Sequence, residues 1–363
     1  MKRALLALVL LAALGAGIIL ALNPQIVVLA REGFPGRILA PSADTALVAG
    51  TNAEGPPPGA PAPPDALARL EASGGDALLV ERGGVLIFES YANGADRETL
   101  FNSYSMVKSL TAALALRAVA NGHIASLDTP LPEIVPEAPP ITLREALTMT
   151  GGLALPPEPP KTALRPFDDE GFSPFAPVAE LHAYGIEALL PEIEVDPALR
   201  GAFHYQSAST ALVGLAVERA TGRSLPDLLS EQIWRPAGAS DAHWRRVPAG
   251  PGVSAYCCLH ARALDWLRVG RFLMENGMGL PEPLWRDLIL PDLPPEVRRA
   301  GAYGLQVRHD VLDRTGEPAQ GPFAYMMGHG GQVTYMLPPL DAVVVRFGEA
   351  PQLLHSTLYE VLR

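Results

Sequence analysis

Ser105 and Lys108 stand three residues apart in Ser105-Met106-Val107-Lys108. On a helix, residues at that spacing share a face, so the amine can reach the hydroxyl. A serine hydroxyl becomes a strong nucleophile when a neighbouring base takes its proton, and an uncharged lysine amine can do so. The stretch 106–120 is rich in alanine and leucine and apolar on nearly every face, so it is expected to be a buried helix. Apolar surroundings and the positive end of the helix dipole both disfavour the ammonium form of a lysine placed there. Only three of the 28 basic residues are lysines: Lys2, Lys108 and Lys161. Arginine stays protonated and cannot act as a base, which gives the choice of lysine at 108 chemical content. Taken alone, the plainer reading of Lys108 is a side chain snorkelling from a surface helix.

Other residue groups extend this chemistry. Tyr205-Gln206-Ser207 precedes a helical stretch, and a phenol near Lys108 could relay a proton to a leaving group. His329-Gly330-Gly331-Gln332 lies between two strand-like segments. Its glycines permit close approach of a substrate to the backbone. The amide of Gln332, with that of Ser105, could hold an oxyanion. Tyr184, within a long irregular stretch, is a candidate substrate-contacting lid residue. The eight histidines form no metal-ligand spacing, so no metal and no cofactor are expected. Cys257 and Cys258 are adjacent, and their Cα atoms are expected to lie closer than a relaxed disulfide prefers. They read as small buried hydrophobes rather than a redox pair.

These groups need a scaffold. Residues 77–91 read as two strands around Arg82-Gly83-Gly84, a hairpin signal. Short helices are expected over 141–149, 209–220 and 260–275, the second following Ser207 as a capping type and stopping at Gly222. Residues 153–200 are proline-rich and read as a long covering loop. Segments 303–308, 323–327, 333–337 and 342–347 have strand composition, and a helix over 351–362 closes the chain. Strands therefore occur at both ends and helices between them. That order predicts an α/β (α+β) fold with one sheet built from both chain ends and a helical region inserted between. No internal repeat is visible.

A net charge of −11, without any basic run, argues against nucleic acid as a partner. Lys2 and Arg3 precede an uncharged apolar run over 4–22. That run is long enough for an uncleaved membrane anchor, and a cleaved signal segment is the alternative. Either places the body outside the cytoplasm, anchored at the inner membrane and facing the periplasm or secreted. Six prolines and two glycines in 51–65 mark an extended linker. The expected organisation is an anchor or signal over 1–23, a proline-rich linker region over 24–65, and a catalytic domain over 66–363. Within that domain the sheet part covers about 66–125 and 300–363, and the helical part about 126–299.

With these motifs in this order, residues 66–363 resemble the serine β-lactamase and penicillin-recognising superfamily. The similarity is greatest to the class C β-lactamase and esterase branch that includes 6-aminohexanoate-dimer hydrolases. Ser105 and Lys108 match its first motif, Tyr205-Gln206-Ser207 its second and His329-Gly330-Gly331 its third. The stretches from Ile141-Thr142-Leu143-Arg144 to Thr150-Gly151-Gly152-Leu153, and from Cys257 to Gly277 with Asp265-Trp266, look like family structural segments. The resemblance implies an antiparallel sheet flanked by helices with an inserted all-helical subdomain. It also implies Ser105 as nucleophile, Lys108 as its base, Tyr205 assisting, and the Ser105 and Gln332 amides as oxyanion donors. The sequence departs from the β-lactamase pattern where Ser207 replaces asparagine and where His329 and Gly330 replace lysine and threonine. With those changes the pattern resembles the amide and ester hydrolase branch, which implies a small-molecule ester or amide as substrate. Rival expectations are a cell-wall D-amino-acid peptidase, a β-lactamase, or a non-catalytic anchored binding or sensor protein of the same fold.

Overall fold

A computed structural model of the chain describes residues 2–33, 36–39, 44–51, 55–155, 175, 177–294, 296–297, 302–309 and 322–349. The expected helix over 351–362, Lys161 and residues 156–174 of the expected long loop lie outside them.

The chain opens with helices α1 (Lys2–Leu22) and α2 (Gln25–Glu32). The large apolar side chains of α1, among them Leu5, Leu8, Leu11, Leu14 and Ile18, are exposed. Among the described residues no single helix is long and apolar enough to cross a membrane. Leu8–Leu22 and Gln25–Glu32, bent by 93° at their break, pass that test together.

Strand β1 (Thr45–Val48) and helix α3 (Pro64–Ala72) follow, then β2 (Gly75–Arg82) and β3 (Val85–Tyr91). The last two form the expected hairpin. Gly83 and Gly84 both have positive φ, +55° and +77°, which a two-residue turn matching strand twist requires. Every β2 residue except Arg82 is buried, because α3 covers one face of the sheet and a later helix covers the other.

Next come β4 (Leu100–Asn102), a 3-10 turn (Tyr104–Met106) and the buried helix α4 (Val107–Ala120). Helix α5 (Leu143–Thr148) starts with a capping box, Thr142 and Glu145 each satisfying the other's backbone amide. The expected loop over 153–200 is more structured than its prolines suggested. It carries β5 (Leu153–Ala154), α6 (Pro177–Tyr184), α7 (Ile186–Leu189) and β6 (Glu194–Val195). Helix α8 (Ser207–Thr221) ends at a left-handed Gly222 as expected, but Ser207 is its first residue and not its cap. Then follow α9 (Leu225–Leu229), β7 (Ala242–Arg245), β8 (Leu259–Arg262), α10 (Ala263–Met274) and α11 (Glu282–Ile289). The helix expected from 260 thus begins only after a strand. The chain returns to the sheet with β9 (Ala302–Gly304), β10 (Val307–His309), β11 (Ala324–Gly328), β12 (Gln332–Leu337) and β13 (Ala342–Gly348).

The main sheet is antiparallel in the order β3-β2-β13-β12-β11-β10-β9, so its strands come from both ends of the chain. Helix α10 packs on β13, β12 and β2. The inserted part is mainly helical and also carries short strands. A second sheet, β1-β7-β8-β4, ends on the strand that leads into Ser105. Two features revise the linker reading of 24–65. Strand β1 pairs with β7, and Glu32 of α2 forms an ion pair with the buried Arg245, with Oε2 accepting at 2.6 Å. Within the proline-rich stretch itself the Ala60 amide donates to the Ile87 carbonyl at 3.1 Å, so that segment also docks on the body.

Candidate active site

Ser105 sits in the 3-10 turn between β4 and α4 and faces a cleft of about 210 Å³. The turn is pinned on several sides. Asn102 Oδ1 accepts from the Tyr104 amide at 2.8 Å. The Ser103 amide donates to the Leu259 carbonyl at 2.9 Å, and the Leu259 amide donates to Ser103 Oγ at 3.1 Å. Tyr104 has φ +44°, a conformation L-residues adopt at a cost of about 1–2 kcal/mol. Such residues persist where the surroundings over-determine them, often at functional sites.

Opposite the turn runs the end of β11. A Cβ built on Gly328 would lie 2.2 Å from the Ser103 carbonyl oxygen, so only glycine lets this strand approach the Ser105-bearing turn so closely. Gly328, with Met327 and His329, borders the cleft. Sequence reading passed over Gly328 for its neighbours Gly330 and Gly331. Those two have φ +74° and +80° and form the turn behind the cleft wall. The buried Arg346 of β13 secures that turn, donating to the Gly331 carbonyl at 2.8 Å and the Gly330 carbonyl at 3.2 Å. Gln332 is buried, with its side chain bonded to the backbone of Gly348, accepting from that amide at 2.9 Å. It is not among the residues bordering the cleft, whose edge here is Met327–His329. Burial lowers the His329 pKa, and its ring meets Tyr104 edge-on at 5.5 Å.

Helix α4 packs against α8 and brings Lys108 to Ser207. Lys108 is 1% exposed, and its Nζ donates to Ser207 Oγ at 2.7 Å. The sequence expectation directed this amine to Ser105; among the described residues no hydrogen bond joins the two. Ser105 lies in the tighter turn ahead of α4, so the ideal three-residue helical register between them does not hold. Two aromatic rings flank the amine. The Tyr205 centroid is 4.7 Å from Nζ and that of Tyr256 is 5.4 Å. Gln206 holds the Tyr205 segment by donating to the Leu153 carbonyl at 2.7 Å.

The structure therefore gathers Ser105, Tyr205, Ser207 and His329 at one cleft, with Lys108 just beneath. Tyr184 is elsewhere: it packs beside Leu29, Ala179 and Ala183. Val178 and His182, four residues apart on the same helix, face the cleft, and a residue two further on points away from that face. His182 and Tyr256 escaped sequence reading, since neither lies near a motif. The Tyr256 hydroxyl is 3.2 Å from His182 Nδ1. Burial, with the charges of Arg245 and Lys108, drives the His182 pKa well below that of an ordinary histidine. Arg308, also unforeseen, borders the cleft with its guanidinium 5.8 Å from the Tyr205 ring and 5.5 Å from that of Tyr303. A second cavity, of about 80 Å³, lies behind Tyr256 beside Glu187 and Glu218 and offers no nucleophile.

The cysteine expectation is corrected. Cys257 and Cys258 form a disulfide, with Cα atoms 3.7 Å apart. Cys258 takes φ +71°, a backbone state that a relaxed disulfide geometry leaves out of account.

An antiparallel sheet built from both chain ends, with an inserted helical part and a serine at the head of the helix between them, is the architecture of β-lactamase-like serine hydrolases. The Beta-lactamase family profile matches residues 40–345, and the chain belongs to this family. Among solved structures it is similar to a Bacillus anthracis protein provisionally assigned as a 6-aminohexanoate-dimer hydrolase. That match has a TM-score of 0.69 and 19% identity, covering 88% of this chain and 89% of that one. A penicillin binding protein from Bacillus halodurans matches with TM-score 0.63 and 19% identity over 81% of this chain and 98% of its own. A class C β-lactamase from Rhodobacter sphaeroides gives 0.54 and 17% over 82% and 98%. At these identities the structures speak for the fold. No curated protein sequence matches the chain.

Proposed function

We propose that this serine hydrolase cleaves a small ester or amide through an acyl-enzyme on Ser105. The observation that carries the reading is the placement of the buried Lys108 amine, bonded to Ser207 and flanked by Tyr205, beneath the cleft that holds Ser105. Ser105 Oγ attacks the carbonyl carbon. Lys108 takes the proton with Tyr205 as relay, and the proton passes to the leaving group. The Ser105 amide and an amide of the Met327–His329 edge receive the oxyanion. Water then releases the acid. No step calls for a cofactor.

Charge narrows the substrate. Among the described residues no aspartate or glutamate borders the cleft, and Arg308 has no ion-pair partner. A substrate carrying a carboxylate or a similar anionic group complements such a wall. The exposed apolar face of α1 supports an exported enzyme held at a membrane by its N-terminal segment. Fractionation of the full chain against a variant lacking residues 2–22 checks this: the full chain sediments with membranes and the variant stays in solution.

The test of the activity is a panel of short-chain esters, linear amides and β-lactams assayed with wild type and Ser105→Ala. Turnover of an ester or amide that disappears in Ser105→Ala supports the reading. Turnover unchanged in that variant overturns it.

A further inference from the structure

The disulfide lies where the parts of the site meet. Cys257 borders the cleft, and the residue before it is Tyr256, one of the two rings against the Lys108 amine. The Cys258 amide donates to the Tyr104 carbonyl at 3.2 Å, and the next amide, of Leu259, donates to Ser103 Oγ. From the other side the Trp244 indole donates to the Cys257 carbonyl at 3.1 Å, and the Arg245 amide donates to the Cys258 carbonyl at 3.0 Å. The bond between Cys258 and Tyr104 joins two non-glycine residues with positive φ, +71° and +44°. Each conformation is unfavourable alone, so something must hold both. Tyr104 directly precedes the nucleophile.

We propose that the Cys257–Cys258 disulfide is a positioning device for Ser105, holding Cys258 in its left-handed state so that its amide fixes the Tyr104 carbonyl. The proposal rests on the reading of Ser105 as nucleophile. It makes turnover sensitive to reduction. A thiolate of a small dithiol attacks one cysteine sulfur, and the S–S bond breaks as a mixed disulfide forms. The second thiol of the reagent closes on the first. Two electrons and two protons pass to the protein, leaving two cysteine thiols and a cyclic disulfide of the reagent. The freed Cys258 relaxes toward negative φ, and the Tyr104 carbonyl loses its donor.

The experiment uses the full chain purified without reductant. Denaturation in iodoacetamide is expected to add no mass before treatment with excess dithiothreitol and two carbamidomethyl groups after it. Reduction is expected to lower kcat on a chromogenic ester, and the rate of fluorophosphonate labelling of Ser105, together by about 10- to 100-fold, the scale of a small misplacement of reacting groups. KM changes little. The Cys257→Ser/Cys258→Ser double variant shows the same low kcat and no response to dithiothreitol. Alkylation of both cysteines before reduction overturns the proposal, as does unchanged kcat once two thiols are demonstrated. Should the double variant fail to fold, the reduced wild type decides. An oxidised wild type inert at Ser105 would instead remove the hydrolase reading, and this proposal with it.

Discussion

The Nζ atom of Lys108 lies 2.7 Å from the Oγ of Ser207, ninety-nine residues away along the chain. The Tyr205-Gln206-Ser207 stretch thus brings a hydroxyl as well as a phenol to the buried amine, and in the proposed mechanism Ser207 orients the base. Ser207→Ala is expected to lower kcat by about 10- to 100-fold, because a misdirected base transfers protons poorly. It also leaves a buried amine without its acceptor, at about 1–3 kcal/mol of stability. Steady-state kinetics and denaturant unfolding on the purified variant check both parts.

Gly328→Ala places a Cβ where the Ser103 carbonyl oxygen stands. Either β11 or the turn carrying Ser105 must move, and overpacking of this kind costs about 1–3 kcal/mol. The expected outcome is a lower melting temperature together with a loss of ester turnover of about tenfold or more. A variant with unaltered melting temperature and turnover would show that the two segments do not touch.

Arg308→Gln is expected to reduce kcat/KM by about tenfold for an ester bearing a free carboxylate while sparing a neutral ester of equal length. A hemisuccinate and a butyrate ester of the same chromogenic alcohol make the comparison. Equal losses on both would assign Arg308 to packing against Tyr205 and Tyr303.

Burial, then the charge of His243, lowers the His260 pKa from 6.5 to about 4. Above pH 6.5 both folded and unfolded chains hold this imidazole neutral. As pH falls toward 4 the unfolded chain gains a proton that the folded chain refuses, so stability declines by up to about 3 kcal/mol. Buried His182 acts with the same sign. His260→Gln is expected to flatten the decline in unfolding free energy between pH 6.5 and 4, measured by urea titration.

Much of this candidate site is legible because its residues fall in short local patterns. The Ser105–Lys108 spacing, the apolar run of α4, Tyr205-Gln206-Ser207 before a helix and the glycine turn after His329 each declare themselves within a few residues. The hairpin at Gly83-Gly84 and the helix stop at Gly222 are local in the same way. What escaped depends on distant packing. His182, Tyr256 and Arg308 reach the cleft from α6, the segment before β8, and β10, and no spacing relates them. Gly328 matters only because another chain segment passes within contact distance. Tyr184 reads as a lid residue from the character of its stretch, yet the helical phase of α6 gives the cleft position to His182. The docking of β1 on β7 joins Thr45 to Arg245, far apart along the chain, and no local pattern signals it. Cys257 pairs with its neighbour Cys258, which takes a left-handed backbone that composition does not signal.

In the proposed mechanism Ser105 becomes acylated while Lys108 draws off its proton. Intact-mass and peptide mass spectrometry after a fluorophosphonate probe tests it most directly, run on wild type, Ser105→Ala and Lys108→Ala. One adduct per chain is expected, carried by the peptide containing Ser105, absent in Ser105→Ala and formed about 100-fold more slowly in Lys108→Ala. An adduct on another residue, or labelling of Lys108→Ala at the wild-type rate, would contradict it.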